Sequence, residues 1–223
     1  MTDRVVIETN ASPDAAVILL HGLGADGHDF EPIVREMNLP ADAAIRFVFP
    51  HAPSRPVTIN GGMSMPAWFD ILGLDRQAQA DERGIRESAA YLMTLVQDQR
   101  DAGIAASRIF LAGFSQGGAI ALFAGLRHAG PLGGIIALST YLPMTDTVAR
   151  EHASRQASLP ILMVHGTQDP VLPIDLGRDS CQFMQALGYQ VSWHEYPMPH
   201  SVCMEEIVLL RDWLMSRLSE SAS

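Results

Sequence analysis

Seven short apolar runs alternate along this chain with stretches whose apolar residues recur at helical spacing, and this alternation constrains the fold more than any other feature. The runs lie at 5–8, 16–20, 46–49, 109–112, 134–138, 161–164 and 191–196. Several are apolar throughout, as strands buried on both faces must be. Between them Ile85, Ala89, Leu92, Met93 and Val96 share one helical face, and near the end Ile207, Leu210, Leu214 and Leu218 do the same. Strands interleaved with helices point to an α/β fold with a mostly parallel sheet. With 223 residues, 48% of them hydrophobic and 18% charged, the chain has material for one sizeable core, so a single domain over residues 1–223 is the expectation.

Charge narrows the function classes. All 15 basic residues are arginine, against 25 Asp plus Glu, for a net charge of −10. Without lysine there is no Walker phosphate loop, no Schiff-base chemistry and no pyridoxal anchor. Nucleic acid and anionic membrane are disfavoured as main partners, because clustered Lys and Arg bind both. Small neutral substrates fit better. No secretory leader pattern and no run of about 20 apolar residues is visible, so no integral membrane association and a cytoplasmic location are expected. Cys181 and Cys203 lack CxxC spacing and read as free thiols.

One segment departs from the alternation. Residues 52–79 carry Pro53, Pro56, Gly61, Gly62, Pro66 and Gly73 among Met63, Met65, Trp68, Phe69, Ile71 and Leu72. A loop of that length inside a compact domain is usually functional, and its apolar content suggests a pocket wall.

The chemistry centres on the run at 109–112, which leads into Gly113, Phe114, Ser115, Gln116 and Gly117, with a helical run from Ala119. G-x-S-x-G between strand and helix is a nucleophile elbow, in which the tight turn lifts the hydroxyl clear of the sheet over a helix N-terminus. Two further groups follow at strand ends. Asp169 lies beyond the run at 161–164, and His200 lies beyond the run at 191–196. Ser, Asp, His is the chain order of the α/β-hydrolase triad, and parallel strands bring all three loops to one sheet edge. Asp175 sits where a helix begins and reads as a capping or surface residue, His194 and His165 read as structural histidines, and Asp70 has no strand-end placement. An oxyanion hole needs two backbone N–H groups. Gln116 supplies one by position, and Leu23, between Gly22 and Gly24 at the end of the run at 16–20, is the choice for the other.

Gly22 to Gly27 also match G-x-G-x-x-G after a strand, the dinucleotide fingerprint. That reading requires an acid ending the next strand, where the sequence has Phe49, Pro50 and His51 instead. No cofactor is expected. Neither His21 with His28 nor His200 with Cys203 makes a plausible metal set, so no metal is expected either.

Taken together, the motifs resemble the carboxylesterase and acyl-protein thioesterase group of α/β-hydrolases, the phospholipase/carboxylesterase family. The resemblance rests on His-Gly-Leu-Gly-Ala-Asp-Gly at 21–27, Met-Pro-Ala-Trp-Phe-Asp-Ile at 65–71 and Gly-Phe-Ser-Gln-Gly-Gly-Ala at 113–119. Leu-Ser-Thr at 138–140 and His-Gly-Thr-Gln-Asp-Pro-Val-Leu-Pro at 165–173 complete it. It implies a hydrolase without a separate lid domain, acting on short- to medium-chain acyl esters and on thioesters, with acyl-protein thioesterase or lysophospholipase activity as the alternative. By position Ser115, Asp169 and His200 match the family triad, and Leu23 and Gln116 its oxyanion donors. Met65, Trp68, Leu72 and Val171 fall in segments that line the family's acyl pocket. Pro199, before His200, departs from the small residue common in the family and restricts the backbone of the histidine loop. A homodimer fits the resemblance and the apolar 52–79 segment. A non-catalytic binding module is the rival of another class.

Overall fold

A computed structural model of the protein describes residues 4–73, 80–152 and 159–220. Strands β1 (Arg4–Glu8), β2 (Ala15–Leu20) and β3 (Ile45–Pro50) open the main sheet. A hairpin of β4 (Ser54–Val57) and β5 (Met63–Pro66) follows, and then β6 (Ile109–Phe114), β7 (Gly134–Leu138), β8 (Ile161–Gly166) and β9 (Val191–Tyr196). The sheet order is β1-β3-β2-β6-β7-β8-β9, parallel throughout except for β1, which runs antiparallel to β3 at the edge. All seven expected strands form, each within two residues of its expected ends.

The helices are α1 (Glu31–Glu36), α2 (Glu82–Asp101), α3 (Gln116–Gly125), α4 (Thr145–Glu151), α5 (Ile174–Ala186) and α6 (Met204–Glu220). They divide the core in two. Ala16, Ile18 and Leu20 of β2 pack with α2, α3 and α5 on one face, whereas Ala15, Val17 and Leu19 pack with α1 and α6 on the other. The two-residue alternation of strand side chains therefore splits an all-apolar run between two cores. Cys181 belongs to the first core and Cys203 packs against the second, so the sheet separates the two thiols, and both are free.

One expectation needs correction. Residues 52–79 are not simply loop, because 54–66 contain the β4–β5 hairpin; positions 74–79 lie outside the described residues. Each of these strands has four residues, including a proline, and is largely exposed, so it leaves no periodic apolar signal. Of the two readings of Asp175 the surface one holds: it lies exposed in the first turn of α5, 3.3 Å from Arg178, while Pro173 takes the N-cap position.

Candidate active site

The carboxyl ends of the parallel strands gather the candidate residues on one edge. Ser115 joins β6 to α3 with φ 54° and ψ −120°, a region that non-glycine residues rarely adopt. The turn is tight enough that a Cβ on Gly113 would stand 2.3 Å from the Gly117 backbone, and one on Gly117 would stand 2.2 Å from the Leu20 carbonyl oxygen. Neighbouring strand ends hold the strained turn. The Ser115 N–H donates to the Leu138 carbonyl at 2.9 Å, and the Thr140 hydroxyl donates to the Ser115 carbonyl at 2.6 Å.

Asp169 and His200 meet in the adjoining loops. His200 Nδ1 donates to Asp169 Oδ2 at 2.6 Å, and the Asp169 side chain is fully buried. The other Asp169 oxygen accepts the N–H groups of Val171 and Leu172 at 2.8 and 2.9 Å. Three donors thus orient one carboxylate, which fixes the histidine tautomer and leaves Nε2 as the basic nitrogen. Pro199 does not prevent this pairing. The His200 ring packs 4.7 Å from that of Phe114, the residue before the serine, and Ser115 and His200 line one cavity of about 1010 Å³.

His165 braces the aspartate loop. Its Nε2 donates to the Leu172 carbonyl at 2.9 Å, while Nδ1 meets no partner among the described residues. Burial pushes this imidazole below its ordinary value, so it stays neutral. It is the structural histidine expected, with one nitrogen left unsatisfied. His21 is also buried and depressed by desolvation. Its Nδ1 donates to the Gly22 carbonyl at 2.8 Å and its Nε2 accepts the Ala52 N–H at 3.0 Å, which anchors the loop that carries Leu23.

Leu23 and Gln116 both line the cavity. The Gln116 N–H is at the first position of α3, where no intrahelical acceptor exists. The glycines of the fingerprint-like loop are explained by packing: a Cβ on Gly27 would stand 2.5 Å from the Phe49 carbonyl oxygen, and Gly24 takes φ +76°.

Of the four expected acyl-pocket residues, Leu72 and Val171 line the cavity. Trp68 does not. It is fully buried, because its indole N–H finds an acceptor only inside, at the His21 carbonyl 2.9 Å away, and its ring stacks toward Tyr91. Met65 is also away from the cavity wall, on β5, where its sulfur accepts from Asn60 Nδ2 at 3.3 Å. Asp70 is occupied by the Thr58 N–H and hydroxyl at 2.7 and 2.6 Å.

Sequence reasoning passed over the Gln116 side chain. Its oxygen accepts the Trp68 N–H and its amide nitrogen donates to the Phe69 carbonyl, both at 2.7 Å, so the residue after the serine also clamps the cavity-lining segment. Phe30, Met144 and Phe183, which also line the cavity, carried no local signal either. No group of three or more His, Cys, Asp or Glu side chains among the described residues could hold a metal ion. No described helix is long and apolar enough to cross a membrane.

The chain is similar to known proteins over nearly its whole length. Acyl-protein thioesterase 1 of Neurospora crassa is 40% identical over 98% of this chain and 93% of its own length. Its counterpart in Yarrowia lipolytica is 38% identical over 97% of each chain. The crystal structure of Zea mays acyl-protein thioesterase 2 superposes with a TM-score of 0.89 at 29% identity, covering 98% of this chain and all of that one. Arabidopsis thaliana SOBER1 gives a TM-score of 0.87 at 29% identity over 92% of this chain and 99% of its own. Residues 1–217 match the family profile described as phospholipase/carboxylesterase, and with an α/β-hydrolase sheet that carries no separate lid domain, the chain belongs to that family.

Proposed function

We propose that this protein is a serine hydrolase that cleaves carboxylic esters and thioesters of short to medium acyl chains, with Ser115 as nucleophile, His200 as base and Asp169 as its orienting partner. The observation that carries the reading is the Asp169–His200 hydrogen bond of 2.6 Å on the same cavity as a serine held at φ 54°. His200 Nε2 takes the Ser115 proton as Oγ attacks the acyl carbonyl, and the buried Asp169 stabilises the imidazolium that forms. The N–H groups of Leu23 and Gln116 receive the oxyanion, helped by the positive end of α3. The leaving alcohol or thiol departs with the proton from His200. Water, activated by the same imidazole, then releases the acid from Ser115.

The lack of lysine supports histidine as the base, because a Ser-Lys pair has no candidate here. Relatives named as thioesterases favour thioesters within the substrate range. The same reading has the enzyme act in the cytoplasm without metal or cofactor, on a small acyl substrate, and as a homodimer. Exposed Ile59 and Met63 near β4 and β5 support the last point.

Ser115→Ala tests the assignment. Turnover of p-nitrophenyl butyrate should fall at least about 10³-fold with the circular dichroism spectrum unchanged, and fluorophosphonate labelling should vanish. Retained turnover would remove Ser115 from the role. No labelling of the unaltered protein would favour a binding module. Matched ester and thioester series of increasing chain length would define the acyl range.

A further inference from the structure

The lining of the cavity draws on both cores, one arm of it from each face of the sheet. On one side Phe69 and Leu142 belong to the core beneath α2, α3 and α5, with Ile71, Met144 and Phe183 packed against it. On the other, Ile33 and Ile207 belong to the core beneath α1 and α6, with Phe30, Phe114 and Val202 packed against it. Ser115 lies at the boundary, at the end of the central strand β6.

His200 decides which arm receives which half of the substrate. In triad chemistry the imidazole that takes the serine proton passes it to the departing oxygen or sulfur, so the leaving group must sit on the histidine side. The His200 ring is 4.7 Å from Phe114, and Phe114 is 5.7 Å from Phe30, which gives a continuous aromatic wall running out from the histidine. That wall belongs to the second arm. The acyl chain is thereby directed to the first.

We infer that Phe30, Ile33, Phe114, Val202 and Ile207 form a leaving-group subsite for a neutral, apolar alcohol or thiol; this rests on the hydrolase reading above. Such a part would bury carbon against these side chains, at about 25 cal/mol per Å² of apolar surface removed from water. No arginine among the described residues lines the cavity, so no described side chain there offers a guanidinium to a phosphate or carboxylate on the alcohol. Asp29, also on the lining, makes an anionic leaving group still less favourable. In the first step the Ser115 Oγ–acyl bond forms and the bond from acyl carbon to leaving oxygen or sulfur breaks. The serine proton travels through His200 to that leaving atom.

Butyrate esters that differ only in the alcohol test the assignment: 2-phenylethyl, ethyl, 3,3-dimethylbutyl, choline and glycolate. kcat/KM reports the acylation step, during which the alcohol is still attached. The expected result is a preference of about tenfold or more for 2-phenylethyl over ethyl butyrate, with the glycolate ester poorest. Phe30→Ala should cut that preference to about threefold or less while the acyl chain-length profile holds. Val202→Ala, on a different element, should give the same signature and serves if Phe30→Ala fails to fold. Phe183→Ala, in the other arm, should change the chain-length profile and leave alcohol preference intact. Three results would overturn the subsite: indifference to the alcohol, a choline ester preferred over its neutral isostere 3,3-dimethylbutyl butyrate, or a Phe30→Ala effect confined to acyl length. Absence of turnover on every ester sinks the hydrolase reading itself, whereas turnover that ignores the alcohol sinks only the subsite.

Discussion

Ser115 and the glycines around it show how packing holds a single turn under strain. The serine keeps φ 54° because its N–H and carbonyl are held by Leu138 at the end of β7 and by Thr140 just beyond it, not because its own preferences favour it. Gly117 permits the close approach to β2. Its absent Cβ would meet the carbonyl oxygen and carbon of Leu20 at 2.2 and 2.5 Å, and backbone cannot move aside as a flexible side chain can. Gly117→Ala is therefore expected to destabilise the protein by about 3 kcal/mol or more and to lower esterase activity in the fraction that folds. Urea unfolding followed by tryptophan fluorescence measures the first effect, and a p-nitrophenyl butyrate assay the second. A variant with unaltered midpoint would show that the elbow relaxes more freely than its contacts imply.

At the scale of elements, α3 is buried along its whole length and α4 is tied to it by a short relay. Arg127, just past the end of α3, donates to Glu151 at 2.7 Å and to the Thr147 hydroxyl at 2.6 Å, and its guanidinium lies 3.6 Å over the Phe123 ring. The Thr147 hydroxyl in turn donates to the Met144 carbonyl at 3.0 Å, and Met144 stands in the left-handed region with φ 53° at the cavity wall. Arg127 and α4 thus fix the backbone of Met144 at the cavity wall. Thr147→Val keeps the volume and removes the hydroxyl, at an expected cost of about 1 kcal/mol. KM for octanoyl esters should rise about threefold or more while kcat/KM for acetyl esters holds, because only the longer chain reaches this wall. Thr147→Ser should restore the wild-type profile. A uniform loss across chain lengths would mean that the relay is structural only.

Across the whole molecule, two carboxyl groups shape stability in opposite pH ranges. Glu151, held by Arg86 and then by Arg127, falls to about 2, below its ordinary 4.5. Its stabilisation is present above about pH 4.5 and is lost as pH drops toward 2. Glu206 is fully buried on α6, and neither side-chain oxygen meets a hydrogen-bond partner among the described residues. Desolvation raises it to about 8, despite a smaller opposing pull from the Cys203 backbone, so it is protonated in the folded protein at neutral pH. The folded state then holds a proton that the unfolded chain has released above about 4.5. Its contribution is complete below that value and disappears as pH climbs through 8. Glu206→Gln keeps the neutral shape, so its melting temperature should match the wild type near pH 5 and exceed it by several degrees at pH 9. Glu151→Gln should lie below the wild type at pH 7 and converge with it near pH 2. Parallel curves for wild type and Glu206→Gln would show that Glu206 titrates normally.

Local pattern alone determined much of this protein. The β2 run at 16–20 and the β6 run at 109–112 are apolar enough to be buried strands, and Gly113, Ser115 and Gly117 can hardly be placed otherwise between strand and helix. Chain order pointed to Asp169 and His200 as partners, and the two side chains do meet, because a residue just past a parallel strand reaches the shared sheet edge whatever its distance along the chain. Other features were decided only by contacts distant in sequence. Trp68 turned inward because its indole N–H needed the His21 carbonyl, 47 residues away. The β4–β5 hairpin left no trace in periodicity, since its strands bury little. Gln116 became a clamp only where Trp68 and Phe69 came within reach of its amide. The lining of the cavity draws on both cores because β2 and β6 send alternate side chains to opposite faces, with Phe183 packed against one core and Phe30 against the other. Local residue order sets which segments form elements and where the strand ends fall; long-range packing of those elements sets the shape, polarity and division of the space between them.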